Sequence, residues 1–171
     1  MPTIRPELAG GFRDYLPEDM IPRQVMFDTI RRVFEMFGYV PLDTPAIERK
    51  AILTGSDPAF SMNIFEIKER DDDSDLALRF DLTVPLARVV SAYPQEVRKP
   101  FKRYQVGKVF RGEKPQAGRF REFVQFDADI VGSPSMMADA EIIALMDRVL
   151  SGLEFKNFLV RVNNRKILNS L

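Results

Sequence analysis

The sequence predicts an α+β fold in which a mostly antiparallel sheet is flanked by helices. Segments with strand periodicity come in consecutive pairs, separated by short polar or Gly- and Pro-containing stretches, which favours antiparallel hairpins. Amphipathic helices stand before, between and after these pairs instead of alternating with single strands. With 171 residues, the chain is long enough to form one domain with a substantial core.

The N-terminal region is predicted to be a loop followed by a long helix. Residues 5–17 contain prolines and a Gly-Gly pair that break regular structure. Residues 18–37 have the pattern of an amphipathic helix, with Pro22 in its first turn and Gly38 just past its end. Its apolar side is formed by Ile30, Val33, Phe34 and Phe37.

The middle of the chain is predicted to alternate between short strands and a helix. Residues 39–47 are extended, and their prolines indicate an edge or interface strand. Residues 62–68 alternate in polarity and predict a strand that pairs with 76–80 across an acidic turn. Thr83 is predicted to cap a helix over 84–92.

The C-terminal half is predicted to hold a long hairpin over 101–131 and a helix over 133–153. A strand at 158–162 and the first turns of another helix at 165–171 follow. Because that last helix is only begun, we expect the chain to be the N-terminal part of a longer protein.

One face of the hairpin carries an unusual mixture of chemical groups. In the second strand, alternate side chains share a face. Those at odd positions are Arg121, Phe123, Gln125, Asp127 and Asp129. The first strand supplies Arg103, Gln105 and Arg111. Cations, a ring, an amide and carboxylates on one face indicate a site for a ligand with both anionic and cationic parts.

The charge pattern along the hairpin supports the same interpretation. Residues 98–121 contain nine Lys or Arg and one acid, Glu113, whereas 122–147 contain six acids and no base. A field that changes sign suits a ligand with a polyanionic end and an ammonium end, such as ATP beside an amino acid. The alternative is a salt-bridged face in contact with solvent.

The composition excludes several kinds of chemistry. The chain has no cysteine and no histidine, so thiolate zinc sites, Ser-His triads and imidazole bases are excluded. Any metal should be a hard ion such as Mg²⁺. No P-loop or dinucleotide-binding glycine motif is present, so ATP would be held by side chains on the sheet. Without an apolar run of spanning length, the chain is expected to be cytoplasmic and not to bind membranes.

Five segments, in order, resemble the histidyl-tRNA synthetase family of class II aminoacyl-tRNA synthetases. FRGEKPQAGRFREFVQFDADIVG at 110–132 is similar to motif 2, and LRFDLTVPLARVV at 78–90 to the segment lining the amino-acid pocket. GFRDYLP at 11–17 resembles the N-terminal signature, and GYVPLDTPAIE at 38–48 the dimer-forming motif 1. RVNNRKIL at 161–168 resembles the end of the first catalytic segment.

The resemblance implies that residues 1–171 are the N-terminal portion of a class II catalytic domain, truncated and without the anticodon-binding domain. The implied reaction is ATP-dependent activation of histidine and its transfer to tRNA(His), in a homodimer that uses Mg²⁺. The motif 3 arginine and the histidine-specific loops of the family are absent from this chain.

The resemblance also implies roles for individual residues. Arg111 would grip the α-phosphate and the substrate carboxylate as the catalytic arginine. Glu113 would read the adenine amino group, Arg119 would reach the outer phosphates, and Phe123 would stack on adenine.

The implied amino-acid pocket uses two further pairs. Gln125 and Asp129 would hold the histidine ammonium, and Asp81 with Thr83 would complete the pocket. For Asp81 and Thr83 a helix cap is the structural alternative, and the two roles are compatible. Phe-Asp-Leu in place of the frequent Pro-Glu-Gly, and Asp129 in place of Glu, indicate a subtype of the family.

Two other functions remain open at the level of sequence. One is the catalytically inactive paralogue that regulates ATP phosphoribosyltransferase in histidine biosynthesis, which resembles the same segments. The other is an RNA-binding or dimerisation module, supported only by the basic run 98–121. Joint retention of Arg111, Glu113, Arg119 and Phe123 favours the enzyme.

Overall fold

The computed structural model describes residues 4–55, 64–68, 75–114, 116 and 118–164. Its helices are α1 (Pro17–Met36), α2 (Lys50–Thr54), α3 (Thr83–Ala92) and α4 (Met136–Gly152). Its strands are β1 (Val40–Pro41), β2 (Ile47–Arg49), β3 (Phe65–Ile67), β4 (Leu76–Leu78), β5 (Phe101–Phe110) and β6 (Glu122–Val131).

The strands form two three-stranded sheets, in the orders β1-β5-β6 and β2-β4-β3. Among them only the short β1–β5 pair is parallel. The predicted α+β class with a mostly antiparallel sheet is therefore confirmed. The segment predicted to be extended over 39–47 divides between the sheets, with β1 at the edge of one and β2 starting the other.

The core lies between the β5–β6 hairpin and the two long helices. Ile30, Val33 and Phe34 of α1 and Leu145 of α4 pack against Tyr104 of β5. The predicted core face of β6 is confirmed, since Phe126, Ala128 and Ile130 pack against this cluster. Because neighbouring side chains on a strand point to opposite faces, this packing leaves the odd positions of both strands on the other face.

Helix α1 begins one residue earlier than predicted, and a different proline opens it. Pro17 is the first helical residue, where a missing N–H has no consequence. Pro22, predicted to lie in the first turn, is inside the helix. Gly38 lies just after the C-cap residue Phe37 with φ +79°, as predicted for a glycine past a helix end.

Two other predictions about local structure were wrong. Residues 158–162 form no strand, although their composition favours one. Thr83 is the first residue of α3 and is not its cap; the Oδ1 of Asp81 accepts the hydrogen bond from the backbone N of Val84 at 3.2 Å. The predicted helix at 165–171 and the first residues of the strand predicted over 62–68 lie outside the described residues.

No helix in the described part of the chain combines the length and apolar character needed to cross a bilayer.

Candidate active site on the hairpin

The register of the hairpin brings the polar groups of the two strands directly opposite one another. Arg103 lies across from Asp129, and Gln105 lies across from Asp127. Further along, Gly107 is opposite Gln125, and Val109 is opposite Phe123. The acidic positions thus lie toward the open end of the hairpin, while the arginine-rich positions lie toward its loop.

At the loop end, the four residues assigned to ATP line one cavity. Its volume is about 390 Å³, and its walls are Arg111, Glu113, Gly118, Arg119, Phe120 and Phe123. Arg119 Nη1 lies 3.8 Å from Glu113 Oε2, and both side chains are largely exposed. The cavity therefore combines two guanidinium groups, one carboxylate and two rings, which fits a nucleotide.

Arg111 is held at the mouth of this cavity by contacts on both sides. Its backbone N donates to Arg121 O at 2.8 Å, and its Nε donates to Phe80 O at 3.3 Å. The guanidinium Cζ lies 4.9 Å from the centre of the Phe123 ring. The ring face assigned to adenine therefore already contacts a cation, and a stacked base would have to share the ring with Arg111 or displace it.

Three carboxylates gather at the other end of the polar face. Asp129, Asp127 and Asp81 are close enough to interact electrostatically, although Asp81 comes from the segment before α3. Burial raises the pKa of Asp129, and the nearby Arg103 opposes that rise. Burial also raises the pKa of Asp81, against the hydrogen bond from the Val84 backbone. Such a cluster is suited to an ammonium group, which would relieve the repulsion.

The side chains assigned to the ammonium share one face but do not contact each other directly. Gln125 Nε2 donates to Asp127 Oδ1 at 2.8 Å, so Asp127 stands between Gln125 and Asp129. Thr83 is exposed at the start of α3. The structure thus gathers Asp81, Gln125 and Asp129 around Asp127, with Thr83 at the border of the group.

A buried arginine from outside the hairpin packs against the polar face of β5. Arg79 is 5% exposed and donates to Lys108 O at 2.9 Å and to Thr44 O at 2.6 Å. Gln105 Nε2 donates to Thr44 Oγ1 at 3.0 Å. A Cβ added to Gly107 would overlap Nη2 of Arg79 and would lie 3.3 Å from its Cζ. Because Gly107 has no side chain, the guanidinium can pack directly against the polar face of the strand.

Three residues that the structure places at this face were not among the predicted site residues. Arg103 and Asp127 were placed on the right face but were given no role, because their partners depend on the strand register. Arg79 was read only as part of a motif. With the two strands paired in the correct register, Arg103 would have been found opposite Asp129, and this pair would have pointed to both residues.

The described residues contain no group of three or more acidic side chains arranged to hold a metal ion. The three aspartates of the acidic cluster surround a guanidinium instead.

Comparison with known proteins gives a consistent result. A family model described as histidyl-tRNA synthetase matches residues 11–171. The histidine–tRNA ligase of Helicobacter pylori (strain G27) is 46% identical over 169 residues, which is 98% of this chain and 38% of that protein. The histidine–tRNA ligase of Treponema denticola is 46% identical over 97% of this chain and 37% of that protein.

Solved structures resemble the chain as well. The histidyl-tRNA synthetase from Nostoc sp. PCC 7120 superposes with a TM-score of 0.85 at 36% identity, over 96% of this chain and 38% of that one. A Bacillus halodurans protein described as an ATP phosphoribosyltransferase regulatory subunit/histidyl-tRNA synthetase gives 0.78 at 25% identity, over 89% of this chain and 39% of that one. The chain spans less than two fifths of the length of these relatives.

Proposed function

Because this chain belongs to the histidyl-tRNA synthetase family, we propose that its hairpin is the floor of a site that activates histidine with ATP for transfer to tRNA(His). Residues 1–171 are then the N-terminal portion of the catalytic domain. The observation that supports this most is the arrangement of the two ends of one polar face. A nucleotide-sized cavity with two arginines lies at one end, and an acidic cluster lies at the other.

In the proposed reaction, an oxygen of the histidine carboxylate attacks the α-phosphorus of ATP, and pyrophosphate leaves. Negative charge grows on the phosphoryl oxygens in the transition state, where a guanidinium is most useful. Arg111 is the candidate for this role, because among the described residues its guanidinium donates only from Nε to Phe80 O. Its Nη groups therefore remain for the carboxylate and the α-phosphate.

The other residues of the cavity would position the nucleotide. Phe123 offers a ring face to adenine, Glu113 a carboxylate to the adenine amino group, and Arg119 a cation to the outer phosphates. In the structure Arg119 and Glu113 face each other at 3.8 Å. We expect ATP to separate this weak, exposed pair, since each partner gains a better one from the nucleotide.

The acidic end would bind the amino-acid part of the substrate. Asp129 would supply the charge for the ammonium, with Asp127 and Asp81 close enough to add to it. Gln125, which is hydrogen-bonded to Asp127, and Thr83 at the start of α3 would complete the pocket. Holding the ammonium at this end directs the carboxylate toward Arg111. The two reacting groups would then meet on one rigid surface, which lowers the entropic cost of the reaction.

Several finer features belong to the same proposal. Mg²⁺ would enter as a counter-ion of the ATP phosphates, since the described residues offer no carboxylate cage of their own. The proposal also includes homodimer formation, a cytoplasmic location and tRNA(His) as the acceptor, and membership of the family supports each of them.

ATP–pyrophosphate exchange, measured with each amino acid in turn, tests the proposal. We expect exchange that requires histidine and is lost in Arg111→Ala. Lys108→Ala is the matched control, because Lys108 is a 61% exposed cation on the opposite face of the same strand. Exchange with another amino acid, or exchange that persists in Arg111→Ala, would contradict the proposal.

The regulatory paralogue is the second candidate, favoured by the likeness to the Bacillus halodurans protein. Direct binding separates the two candidates where exchange is absent. ATP binding that is lost in Arg111→Ala supports the enzyme, because four ATP-directed side chains line one cavity. Histidine binding without ATP binding supports the regulator.

A further inference from the structure

Arg103 is the most deeply buried charged group on the polar face. Its side chain is 0% exposed, although it lies near the start of a strand that borders the proposed site. Nη2 donates to Leu82 O at 3.0 Å and lies 2.7 Å from Asp129 Oδ2. Its Nε and Nη1 are buried without a hydrogen-bond partner among the described residues. A buried cation in this state needs strong compensation from nearby negative charge.

That compensation comes from carboxylates on three different segments. Asp129 and Asp127 of β6 and Asp81 before α3 all act on the Arg103 charge. Three negative charges therefore act on Arg103, and Arg111 also acts on Asp81, so the carboxylates of this cluster outnumber the nearby guanidinium groups by one. One substrate ammonium would balance the remaining charge.

The two oxygens of Asp129 are not equivalent. Oδ2 is buried and lies against Arg103, whereas the side chain as a whole is 29% exposed. The rest of the carboxylate is therefore open to a ligand on the side away from Arg103. Because Arg103 is itself tied to Leu82 O, the direction of the Asp129 carboxylate is fixed relative to the segment that carries Asp81.

We propose that Arg103 is a positioning residue of the amino-acid pocket, acting as the buried counter-cation that keeps Asp129 ionised and turned toward the substrate ammonium. This role rests on the proposed function. It requires no contact between Arg103 and the substrate, because the effect passes through Asp129. Arg103 is also the counter-ion of Asp127. Asp127 accepts a hydrogen bond from Gln125 and has no other cation beside it in the described part of the cluster.

The pH dependence of substrate binding should reveal this role. The groups that interact with Asp129 are Arg103 on β5, Asp127 on β6, Asp81 before α3 and Tyr39 before β1. Of these only Arg103 lowers the pKa of Asp129, whereas burial, Asp127 and Asp81 raise it. An opposite charge at this distance shifts a carboxyl pKa by about 1–3 units. Removing Arg103 should therefore raise the pKa of Asp129 by a comparable amount.

The first measurement is the titration of aspartate carboxyl carbons by NMR, in the unaltered chain and in Arg103→Met. Asp129→Asn identifies the signal. We expect the Asp129 midpoint to move upward by about 1–3 pH units in Arg103→Met and by less in Arg103→Lys, which keeps the charge. Lys108→Met is the control, since it removes a cation paired with Glu122 on the opposite face and should not move the midpoint.

The second measurement is the affinity for histidine and for imidazolepropionate, which lacks the ammonium, across the same pH range. Histidine binding should weaken as the pH falls through the Asp129 midpoint, and Arg103→Met should move this loss to higher pH. The affinity for imidazolepropionate should differ little between the two proteins. A merely structural role would weaken both ligands alike and leave the pH profile in place.

Each outcome decides one part of the proposal. An unchanged Asp129 midpoint in Arg103→Met, or equal losses for the two ligands, would overturn the role of Arg103. If Arg103→Met does not fold, the titration of Arg103→Gln, which also removes the charge but keeps a polar side chain, decides in the same way, with an unchanged midpoint overturning the role. Absence of histidine binding by the unaltered chain would contradict the proposed function, while the titration would still show whether Arg103 is the counter-ion of Asp129.

Discussion

Replacing Gly107 by alanine should destabilise the protein far more than a glycine-to-alanine change in a strand normally does. The added Cβ would overlap Nη2 of Arg79 and lie 3.5 Å from Cδ2 of Leu82. The guanidinium has little room to retreat, because Nε donates to Lys108 O and Nη1 to Thr44 O. We therefore expect the strand to be overpacked at this point and Arg79 to give up one hydrogen bond as well.

The expected magnitude follows from these contacts. Overpacking of this kind costs about 1–3 kcal/mol. Losing one hydrogen bond from a charged donor adds about 1.5–3 kcal/mol. Alanine is more stable than glycine within a strand by about 0.5–1 kcal/mol, and this gain offsets part of the loss. The net loss in the free energy of unfolding should therefore be about 3 kcal/mol, measured by urea denaturation followed by circular dichroism.

Two further variants make this prediction specific. Gly10→Ala is the matched control, because no atom lies within 4 Å of a Cβ at that position. Its free energy of unfolding should stay within about 0.5 kcal/mol of the unaltered chain. In the Arg79→Met background, Gly107→Ala should cost at least about 1 kcal/mol less than alone, since the overlapped group is gone. Strict additivity of the two changes, or a Gly107→Ala loss no larger than that of Gly10→Ala, would refute the reasoning.

Three more predictions concern other parts of the molecule. Because burial and Asp127 raise the pKa of Asp81, its charge makes the fold less stable as the pH rises through the folded pKa. Asp81→Asn should therefore have a higher melting temperature than the unaltered chain at pH 7, and the difference should shrink toward about pH 4. The same difference between the two proteins at both pH values would contradict this. Arg88→Met should lower the free energy of unfolding by about 2 kcal/mol in urea, since Arg88 donates to both oxygens of the buried Glu48 carboxylate, and no loss would show that the pair adds nothing. Ser135→Ala should cost about 1 kcal/mol in the same assay, because Ser135 Oγ accepts the hydrogen bond from a backbone N–H in the first turn of α4, and an unchanged midpoint would argue against the cap.

The fold and the faces of the hairpin could be predicted because they depend on local periodicity. The regular two-residue repeat of β6 assigned Phe126 to the core and Asp129 to the polar face, and both assignments are confirmed. The segment at 158–162 has the same kind of composition but pairs with no strand in the described part of the chain. Strand propensity depends on a neighbour, so composition alone was misleading there.

The tertiary contacts of the site could not be predicted from the sequence. Pairing Arg103 with Asp129 requires the register of β5 against β6, which the irregular loop between the strands does not reveal. The packing of Arg79 against Gly107 joins residues 28 positions apart and could not be inferred from local periodicity. The sequence allowed either Asp81 or Thr83 to cap α3, because both are good capping residues, and only the geometry shows that Asp81 accepts the hydrogen bond from the Val84 backbone.

Equilibrium binding of ATP, measured by calorimetry on the unaltered chain, on Arg111→Ala and on Lys108→Ala, tests the central claim most directly. The claim is that the polar face of the hairpin, and not its basic charge in general, binds the nucleotide. We predict that ATP binds the unaltered chain and Lys108→Ala with similar affinity, and that Arg111→Ala loses at least about tenfold, as expected for one charged donor to phosphate. Equal losses in both variants, or ATP binding that is unchanged in Arg111→Ala, would contradict the account.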